Sequence, residues 1–382
     1  MVKSDLIAET GAAGGRKRRF AAKKGKGPMN LYGKAWTRRE LEARVGRLEQ
    51  IGGVRRLQWT EGAESGSEQA QVRTGAGLAY YVGLSKGLDI SLAEFGGTPI
   101  SWQAPNGDVH PAYYDAEGAE WLRTATGGLL MTCGLTQAGS PNVDVGQRQG
   151  LHGRAHHLPA RHVAAHGRWT GDDYETIVSG VIEEATVAGD FLRLTRQIVS
   201  RLGDNRIVIR DTVENAGFRT SPHMMLYHFN FGFPLMDDDT RIESPHTTSV
   251  APREAGTLTD GWERWQRPDA SYTERVYYHD VKPGPDGRAE VRLFNPRFPY
   301  AGGAGTGPIR VRLSWNTDRL PRLVQWKMPA AGTHVLGIEP ANCRVGGRAD
   351  ERRDGTLVFL EPGEQAKYEL ELEVSGAAEE MR

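Results

Sequence analysis

The sequence predicts an all-β protein, a large antiparallel β-sandwich with a short N-terminal helix. After residue 54, apolar residues alternate with polar ones in many separate segments, which is the period of strands with one buried face. Turns rich in Gly, Asn and Asp separate these segments, and the chain contains 48 glycines. An open sheet with so many strands would leave exposed edges, so two packed sheets are favoured.

The chain of 382 residues is long enough for one large domain, which we place at residues 29–376. Residues 1–28 are small and polar and include a basic cluster from Arg16 to Lys26, so they are predicted to form a disordered extension. A second disordered tail is predicted at 377–382. The basic cluster is typical of a polyanion-binding tail, but Met29 directly precedes the first structured pattern, so an upstream translation start is an equal alternative.

The first predicted element is a helix after Thr37. Thr37 and Glu40 have the spacing of a capping box. Apolar residues then recur at helical spacing: Leu41, Val45, Leu48 and Ile51. Because Gly52 and Gly53 end this pattern, we expect the helix to reach them and to cover part of the sheet.

The clearest strands follow in the second half of the chain. A hairpin is predicted from Leu192 to Val213 around the turn Gly203-Asp204-Asn205. The same alternation occurs in four further segments, at 174–185, 311–315, 323–328 and 368–374.

Composition limits the function to a local site. Lys and Arg number 48 and so do Asp and Glu, so no overall field attracts nucleic acid or an anionic membrane. No apolar run approaches the ~18 residues of a membrane span. The two cysteines, Cys133 and Cys343, lack a CxxC pattern and indicate a reducing compartment. We therefore expect a cytoplasmic protein, monomer or homodimer, that binds a small molecule and neither nucleic acid nor membrane.

A first candidate segment is Gly150-Leu151-His152-Gly153-Arg154. Its glycines allow a ligand to approach the backbone closely, and His152 and Arg154 offer hydrogen-bond donors to sugar hydroxyls. A glycine-rich turn with an exposed histidine is an equal alternative, although loops often contain functional residues.

A second candidate segment runs from Leu226 to Gly232. On a strand, His228 and Asn230 share one face, and the aromatic side chains of the segment take the other. Two polar groups on one face, backed by aromatic residues, suit a carbohydrate cleft. A single histidine in such a strand would more often be a core residue.

A third candidate segment is Leu336-Gly337-Ile338-Glu339-Pro340-Ala341-Asn342. Glu339 is flanked by apolar residues and precedes a proline, which is expected to end the strand at the rim of a sheet. A partly buried carboxylate with a shifted pKa suits a general base. Taken alone, this residue is more simply explained as a surface glutamate at a strand end.

A metal site is disfavoured. His152 and His156 stand four residues apart, but Gly150, Gly153 and Pro159 oppose the helix that would bring them together. The run Asp237-Asp238-Asp239 lacks the alternating ligands of a calcium loop. We therefore predict neither a metal nor a cofactor.

Taken in order, the three segments resemble the aldose 1-epimerase superfamily, and most closely its uncharacterised bacterial branch of galactose mutarotase-like proteins (DUF4432-like). Leu151-His152-Gly153-Arg154 is similar to the family's Leu-His-Gly-Gly loop, with Arg in place of the second Gly. The strand around His228 resembles the one that supplies the family's acidic histidine, and Glu339 stands in the order of its basic glutamate. The resemblance covers roughly residues 29–375.

The resemblance implies a reaction in which Glu339 takes the proton of the C1 hydroxyl and His228, as an imidazolium, protonates the ring oxygen. It also implies that His152, Arg154 and Asn230 bind the sugar. Tryptophans offer stacking platforms, with Trp326 or Trp102 as candidates, and Lys327 is a further candidate at the strand rim. The family's Asn-Arg binding motif has no recognisable counterpart, which leaves the sugar open.

Two alternatives remain. One is another sugar epimerase, isomerase or keto-sugar-processing enzyme on the same fold, because fold does not fix function. The other is a non-catalytic carbohydrate-binding protein. The epimerase hypothesis predicts that His152, His228 and Glu339 face one cleft, with His228 and Glu339 on opposite sides of a sugar-sized gap.

Overall fold

The computed structural model describes residues 29–254, 261–301 and 305–376, and they form two large antiparallel sheets. The strands are β1 (Met29–Leu31), β2 (Lys34–Trp36), β3 (Gly53–Gln58), β4 (Glu68–Arg73), β5 (Leu78–Gly83), β6 (Asp89–Phe95), β7 (Thr98–Pro99), β8 (Trp102–Gln103), β9 (Gly127–Gly128), β10 (Leu130–Leu135), β11 (Asn142–Asp144), β12 (Gln147–Gln149), β13 (Arg161–Thr170), β14 (Asp173–Ala185), β15 (Phe191–Arg201), β16 (Arg206–Asn215), β17 (Ser221–Gly232), β18 (Arg241–Glu243), β19 (Thr247–Pro252), β20 (Arg275–Val281), β21 (Arg288–Pro299), β22 (Thr306–Asn316), β23 (Arg322–Ala330), β24 (Thr333–Ala341), β25 (Val358–Leu360) and β26 (Gln365–Gly376).

Within the described ranges the helices are short. The α-helices are α1 (Arg38–Glu42) and α2 (Arg348–Arg353). The 3₁₀-helices span Leu48–Gln50, Gly62–Glu64, Pro111–Tyr113, Glu120–Arg123 and Ala155–His157. None of the described helices is long and apolar enough to cross a bilayer. The predicted extension at 1–28 and tail at 377–382 lie outside the described residues.

The larger sheet has twelve strands along the path β19-β20-β23-β24-β17-β10-β6-β5-β4-β3, with β25 paired to β17 and β7 to β6. The smaller has eight, in the order β13-β14-β15-β16-β26-β22-β21-β18. Apolar side chains from both sheets join one core cluster, for example Val82, Phe229, Ile209 and Leu370. The predicted all-β sandwich is confirmed.

The predicted hairpin forms as β15 and β16, with Ile198 opposite Ile209. The other predicted strands also form, and β26 lies in the middle of the smaller sheet between β16 and β22. Its apolar side chains enter the core, while its glutamates pair with arginines on the outer face, as in the contact of Arg312 with Glu373.

The predicted helix after Thr37 is shorter than expected. The capping box forms, because Thr37 and Glu40 bond reciprocally. However, α1 ends at Glu42, and Leu48 enters a separate 3₁₀-helix. Gly46 interrupts the pattern, at a cost of about 1 kcal/mol relative to Ala within a helix, and the turn lets Leu48 and Ile51 pack against a small cluster around Leu31.

A buried ion network connects the two sheets behind β17. The guanidinium of Arg196, which is fully buried, donates to Asp89 on β6 (Nη1–Oδ1, 2.7 Å) and to Asp211 on β16 (Nη2–Oδ2, 2.6 Å). The Tyr227 hydroxyl donates to the same Asp211 carboxylate at 2.7 Å. Because side chains alternate along a strand, Tyr227 fixes the core face of β17 and His228 lies on the opposite face.

Candidate active site

A cleft of about 450 Å³ lies on the face of the larger sheet that points away from the sandwich core. Tryptophans and aliphatic side chains make up most of its lining, together with a few polar groups. The lining includes Trp102, Trp121, Trp326, His152, His228 and Glu339. An apolar cavity with a few convergent polar groups is typical of a small-molecule site.

Strand register places the two central polar groups side by side. The pairing of Leu226 with Ala341 and of Phe229 with Ile338 sets His228 on β17 directly opposite Glu339 on β24. The same row continues to Met131 on β10 and to Val324 on β23. His228 and Glu339 therefore stand in the middle of a floor built by several adjacent strands.

His228 and Glu339 contact each other, with 3.2 Å between Nε2 and Oε1. Their exposed fractions are 6% and 2%. Burial raises the pKa of the Glu339 carboxyl to about 8 and lowers the pKa of His228 to about 4. At neutral pH the pair therefore holds one proton, mainly as a carboxylic acid beside a neutral imidazole.

These facts correct two expectations. The predicted sugar-sized gap between His228 and Glu339 is absent, because the register of β17 and β24 makes them neighbours. The expected imidazolium at His228 is also not favoured, since burial disfavours the charged form of each partner. The prediction that His152, His228 and Glu339 face one cleft agrees with the structure.

Gly337 provides the room for this pair. It lies two residues before Glu339 on the same face of β24, opposite Trp326 on β23. A Cβ atom at this position would come within 2.7 Å of Glu339 Oε1 and 3.2 Å of His228 Cε1. Glycine is therefore required here because there is no room for a side chain, and not because of an unusual backbone angle.

Trp326 forms one wall beside the pair. Its ring meets the His228 ring edge to face, with 5.6 Å between the ring centroids. Its indole Nε1 donates to Glu274 Oε2 at 2.9 Å. Glu274 in turn accepts from Arg253 Nη2 at 2.8 Å. The indole orientation is thus set by a carboxylate that an arginine holds.

His152 lies on the other side of the pair, with 5.7 Å between its ring centroid and that of His228. Its Nδ1 accepts from the backbone N–H of Gly139 at 3.3 Å. Burial lowers the pKa of His152 to about 3, so the ring is neutral and its proton is on Nε2. This leaves the Nε2–H as a donor for a bound hydroxyl.

Backbone geometry explains the His-Gly sequence of this loop. His152 has a φ of +54°, and Gly153 has a φ of +73°. A Cβ on Gly153 would lie 2.3 Å from the carbonyl oxygen of Gln137. The glycine is required so that the loop can pack against Gly134 and Gln137, and this packing holds His152 in the cleft.

Trp121 closes the cleft above His152, with 5.1 Å between the two ring centroids. It is 3% exposed. Among the described residues its Nε1 has no hydrogen-bond partner. A buried indole N–H without a partner is costly, and a ligand hydroxyl would satisfy it.

Three predicted substrate-binding residues do not reach the cleft. Arg154 is exposed and is not part of the lining. Lys327 follows Trp326 and so points to the other face of β23, where Nζ donates to the carbonyls of Gly261 and Arg264 at 2.7 and 2.9 Å. Asn230 is fully buried.

Asn230 supports the site from below. Its side-chain nitrogen donates to the His228 carbonyl at 3.0 Å and to the Gly127 carbonyl at 3.2 Å. The structure therefore gives Asn230 a role in holding β17 and the loop before β10. Asn230 does not line the cleft and so has no direct contact with it.

Trp121, Arg253 and Glu274 are cleft residues that the motifs did not identify. Glu274 stands one residue before β20 and Arg253 one residue after β19, in segments with no glycine-aromatic pattern. Of these three residues, only Trp121 carries a signal of a binding site in the sequence, because it is an aromatic residue in a segment without strand or helix periodicity.

The remaining histidines of the loop have structural partners. His156 Nδ1 lies 2.7 Å from Asp89 Oδ2, within the ion network behind β17. His157 bonds the Thr124 hydroxyl at 2.8 Å and stacks on Tyr114. Over the ranges that the structure describes, no group of three or more His, Cys, Asp or Glu side chains is arranged to hold a metal.

Residues 64–374 match the model of a family described as a domain of unknown function, DUF4432. No curated protein matches the chain. A proposed aldose 1-epimerase from Klebsiella pneumoniae is 22% identical, with a TM-score of 0.75 over 84% of this chain and 83% of that one.

Two further solved structures are more distant. A galactose mutarotase-like protein from Clostridium acetobutylicum is 12% identical, with a TM-score of 0.55 over 86% of this chain and 99% of that one. A proposed aldose 1-epimerase from Escherichia coli K12 is 16% identical, with a TM-score of 0.51 over 79% and 97%. At these identities the likeness establishes a galactose mutarotase-like fold.

Proposed function

The chain belongs to the DUF4432 family, and from the geometry of its cleft we propose that it is an aldose 1-epimerase, which interconverts the anomers of a free sugar. The observation that carries this proposal is the contact of His228 with Glu339 at the centre of the cleft. Opening a sugar ring needs a base at the C1 hydroxyl and an acid at the ring oxygen. Because C1 bears both oxygens, a base and an acid that lie side by side, as these two residues do, can reach both of them.

In the proposed reaction the pair exchanges its single proton with the sugar. His228 Nε2 accepts the proton of the C1 hydroxyl, and the Glu339 carboxyl donates its proton to the ring oxygen. The bond between C1 and the ring oxygen breaks, its electrons stay on the ring oxygen, and C1 becomes a carbonyl. Rotation about the C1–C2 bond presents the other face. Reclosure reverses both proton transfers and restores the pair.

Burial favours a neutral His228 and a protonated Glu339. In this protonation state His228 is the base and Glu339 is the acid, which reverses the roles that the family resemblance implied. The tautomer with a carboxylate and an imidazolium would perform the same exchange with the roles reversed. Either way the pair acts with one proton, and its two groups titrate as a unit.

The charges around the cleft favour an uncharged sugar. Arg253 is the only Lys or Arg among the described residues that line the cleft. Its guanidinium already contacts the carboxylates of Glu254 and Glu274. Arg154 is exposed outside the lining, and Arg161 lies near Glu183. A phosphate would therefore meet the carboxylate of Glu274 without a free cation to offset it. The N–H groups of His152 and Trp121 suit hydroxyls instead.

The proposal is tested by following the optical rotation of freshly dissolved aldoses, with exchange NMR as a second readout. We expect acceleration of at least one free aldose and none, or much less, of its 6-phosphate. Glu339→Gln and His228→Asn should each lower kcat/KM by about 10²–10⁴-fold, while Glu254→Gln, which changes a carboxylate outside the pair, should leave it nearly unchanged. Folded wild-type protein that accelerates no aldose on a broad panel would reject the proposal.

A further inference from the structure

The cleft is long in the direction of the strands. Thr333, at the first residue of β24, belongs to the lining together with Glu339. The two residues are six positions apart on one strand, which at about 3.4 Å per residue separates them by roughly 20 Å. Part of the cleft therefore extends along the strands from the reactive pair toward Thr333.

Trp102 marks this distal part. Gly232 lies four residues after His228 on the same face of β17, which at about 3.3 Å per residue is roughly 13 Å away. A Cβ atom on Gly232 would meet Trp102 Cα at 2.7 Å and Cβ at 2.8 Å, so Trp102 packs directly over this glycine. Its ring rests on Gly127, where a Cβ would lie 2.7 Å from ring atom Cε3.

The neighbours of Trp102 provide both apolar and polar contacts. Asn106 lines the cleft and donates its side-chain N–H groups to the carbonyls of Leu122 (2.7 Å) and Ala125 (3.1 Å). These two hydrogen bonds fix the orientation of the Asn106 amide and leave its oxygen to accept a hydrogen bond from a ligand. Leu122 also lines the cleft and is 57% exposed at its mouth. An aromatic ring with a fixed amide is suited to a sugar ring and its hydroxyls.

A single sugar ring cannot occupy both parts. With bonds of about 1.5 Å, a pyranose and its hydroxyls extend roughly 6–7 Å, which is about a third of the separation between Glu339 and Thr333, both of which line the cleft. We propose that the cleft binds an uncharged saccharide of at least two rings, with its reducing ring at His228 and Glu339 and the next ring against Trp102. This rests on the proposed epimerase function and names its substrate class.

The test compares kcat/KM for mutarotation of D-glucose with that of reducing disaccharides of different linkage, such as maltose, cellobiose and lactose. We expect at least one disaccharide to exceed glucose by about 10-fold, which corresponds to about 1.4 kcal/mol. Trp102→Ala and Leu122→Ala should each lower the ratio of kcat/KM for the disaccharide to that for glucose to about 1. Trp102→Phe should retain most of the advantage, and Trp169→Ala, outside the cleft, should change neither value.

A binding measurement separates the two proposals. Methyl glycosides cannot mutarotate, so calorimetry measures their binding without turnover. The difference in affinity between methyl β-cellobioside and methyl β-glucoside, and likewise for the maltose and lactose analogues, reports on the distal part. Tighter binding of a disaccharide glycoside that Trp102→Ala abolishes supports the second subsite even if turnover is absent, which would overturn only the epimerase function. Turnover of monosaccharides with no disaccharide preference in rate or binding would overturn only the second subsite.

Discussion

Gly337 lies beneath the carboxyl group of Glu339, at a distance that leaves no room for a methyl group. A Cβ at residue 337 would come within 2.7 Å of Glu339 Oε1 and 3.0 Å of Trp326 Cβ. Strands β23 and β24 hold the backbone on both sides of this contact. The position of the Glu339 carboxyl is therefore coupled to the absence of a side chain two residues away.

Gly337→Ala is expected to lower kcat strongly while the protein still folds. Overpacking of this kind costs about 1–3 kcal/mol of stability, and the displaced carboxyl would lose its contact with His228. We expect kcat to fall at least 10-fold, measured by polarimetry, with a moderate loss of stability measured by urea unfolding. Gly46→Ala is the matched control, because a Cβ there meets no atom within 4 Å. Unchanged kcat in Gly337→Ala would show that the carboxyl position is not critical.

The alternation rule predicts much of this arrangement from the sequence. It placed His228 and Tyr227 on opposite faces of β17, as the structure has them. The same rule excludes Trp326 and Lys327 from facing one cleft, since they are adjacent on β23. Both were predicted as substrate-binding residues, and only Trp326 lines the cleft.

Other features depend on contacts between distant parts of the chain. The contact of His228 with Glu339 requires β24 to pair with β17 in one register, although more than a hundred residues separate them. No local pattern specifies that register. Arg154, which is exposed, directly follows two residues with positive φ, His152 and Gly153.

The rate of mutarotation should depend on pH through the pair. The pKa of His228 is lowered to about 4 and that of Glu339 is raised to about 8, so the pair holds one proton between these values. We expect a plateau of kcat/KM over this range and a decrease of up to tenfold per pH unit above about 8, where the last proton is lost. Rates should be corrected for the catalysis of mutarotation by hydroxide and buffer. A rate that rises steadily through pH 8 would contradict the shared proton.

The stability of the folded protein should also respond to the Glu339 carboxyl. Its pKa is raised from 4.5 to about 8 by burial, so between these values the native state retains a proton that the unfolded chain releases. Its contribution to stability is therefore complete below pH 4.5 and is lost as pH rises to 8, by at most about 1.4 kcal/mol per pH unit. Wild type should lose stability relative to Glu339→Gln over this range in urea unfolding.

The control for this measurement is Glu61→Gln, which changes an exposed carboxylate. The free energy of unfolding of this variant should parallel that of wild type at every pH. If the difference between wild type and Glu339→Gln is constant from pH 5 to 8, the carboxyl has no raised pKa in the folded protein.

Glu274 is expected to act through Trp326 as a positioning residue. Its carboxylate accepts from the Trp326 indole N–H at 2.9 Å and from Arg253 at 2.8 Å. Because the Glu274 side chain is 46% exposed, water weakens these interactions. If the proposed sugar binds beside Trp326, Glu274→Ala should raise KM about 3–10-fold, because the Trp326 ring is no longer fixed, and should leave kcat within about 2-fold. Glu254→Ala removes the other carboxylate that contacts Arg253 and should have little effect.

A double-mutant cycle separates the role of the indole N–H from other effects of Glu274. Trp326→Phe retains an aromatic ring and removes the N–H. If Glu274 acts by orienting this group, the effects of Glu274→Ala and Trp326→Phe on KM should be less than additive, because either change removes the same hydrogen bond. Full additivity would mean that Glu274 acts through Arg253 instead, and a large decrease in kcat for Glu274→Ala would place it in the chemical step.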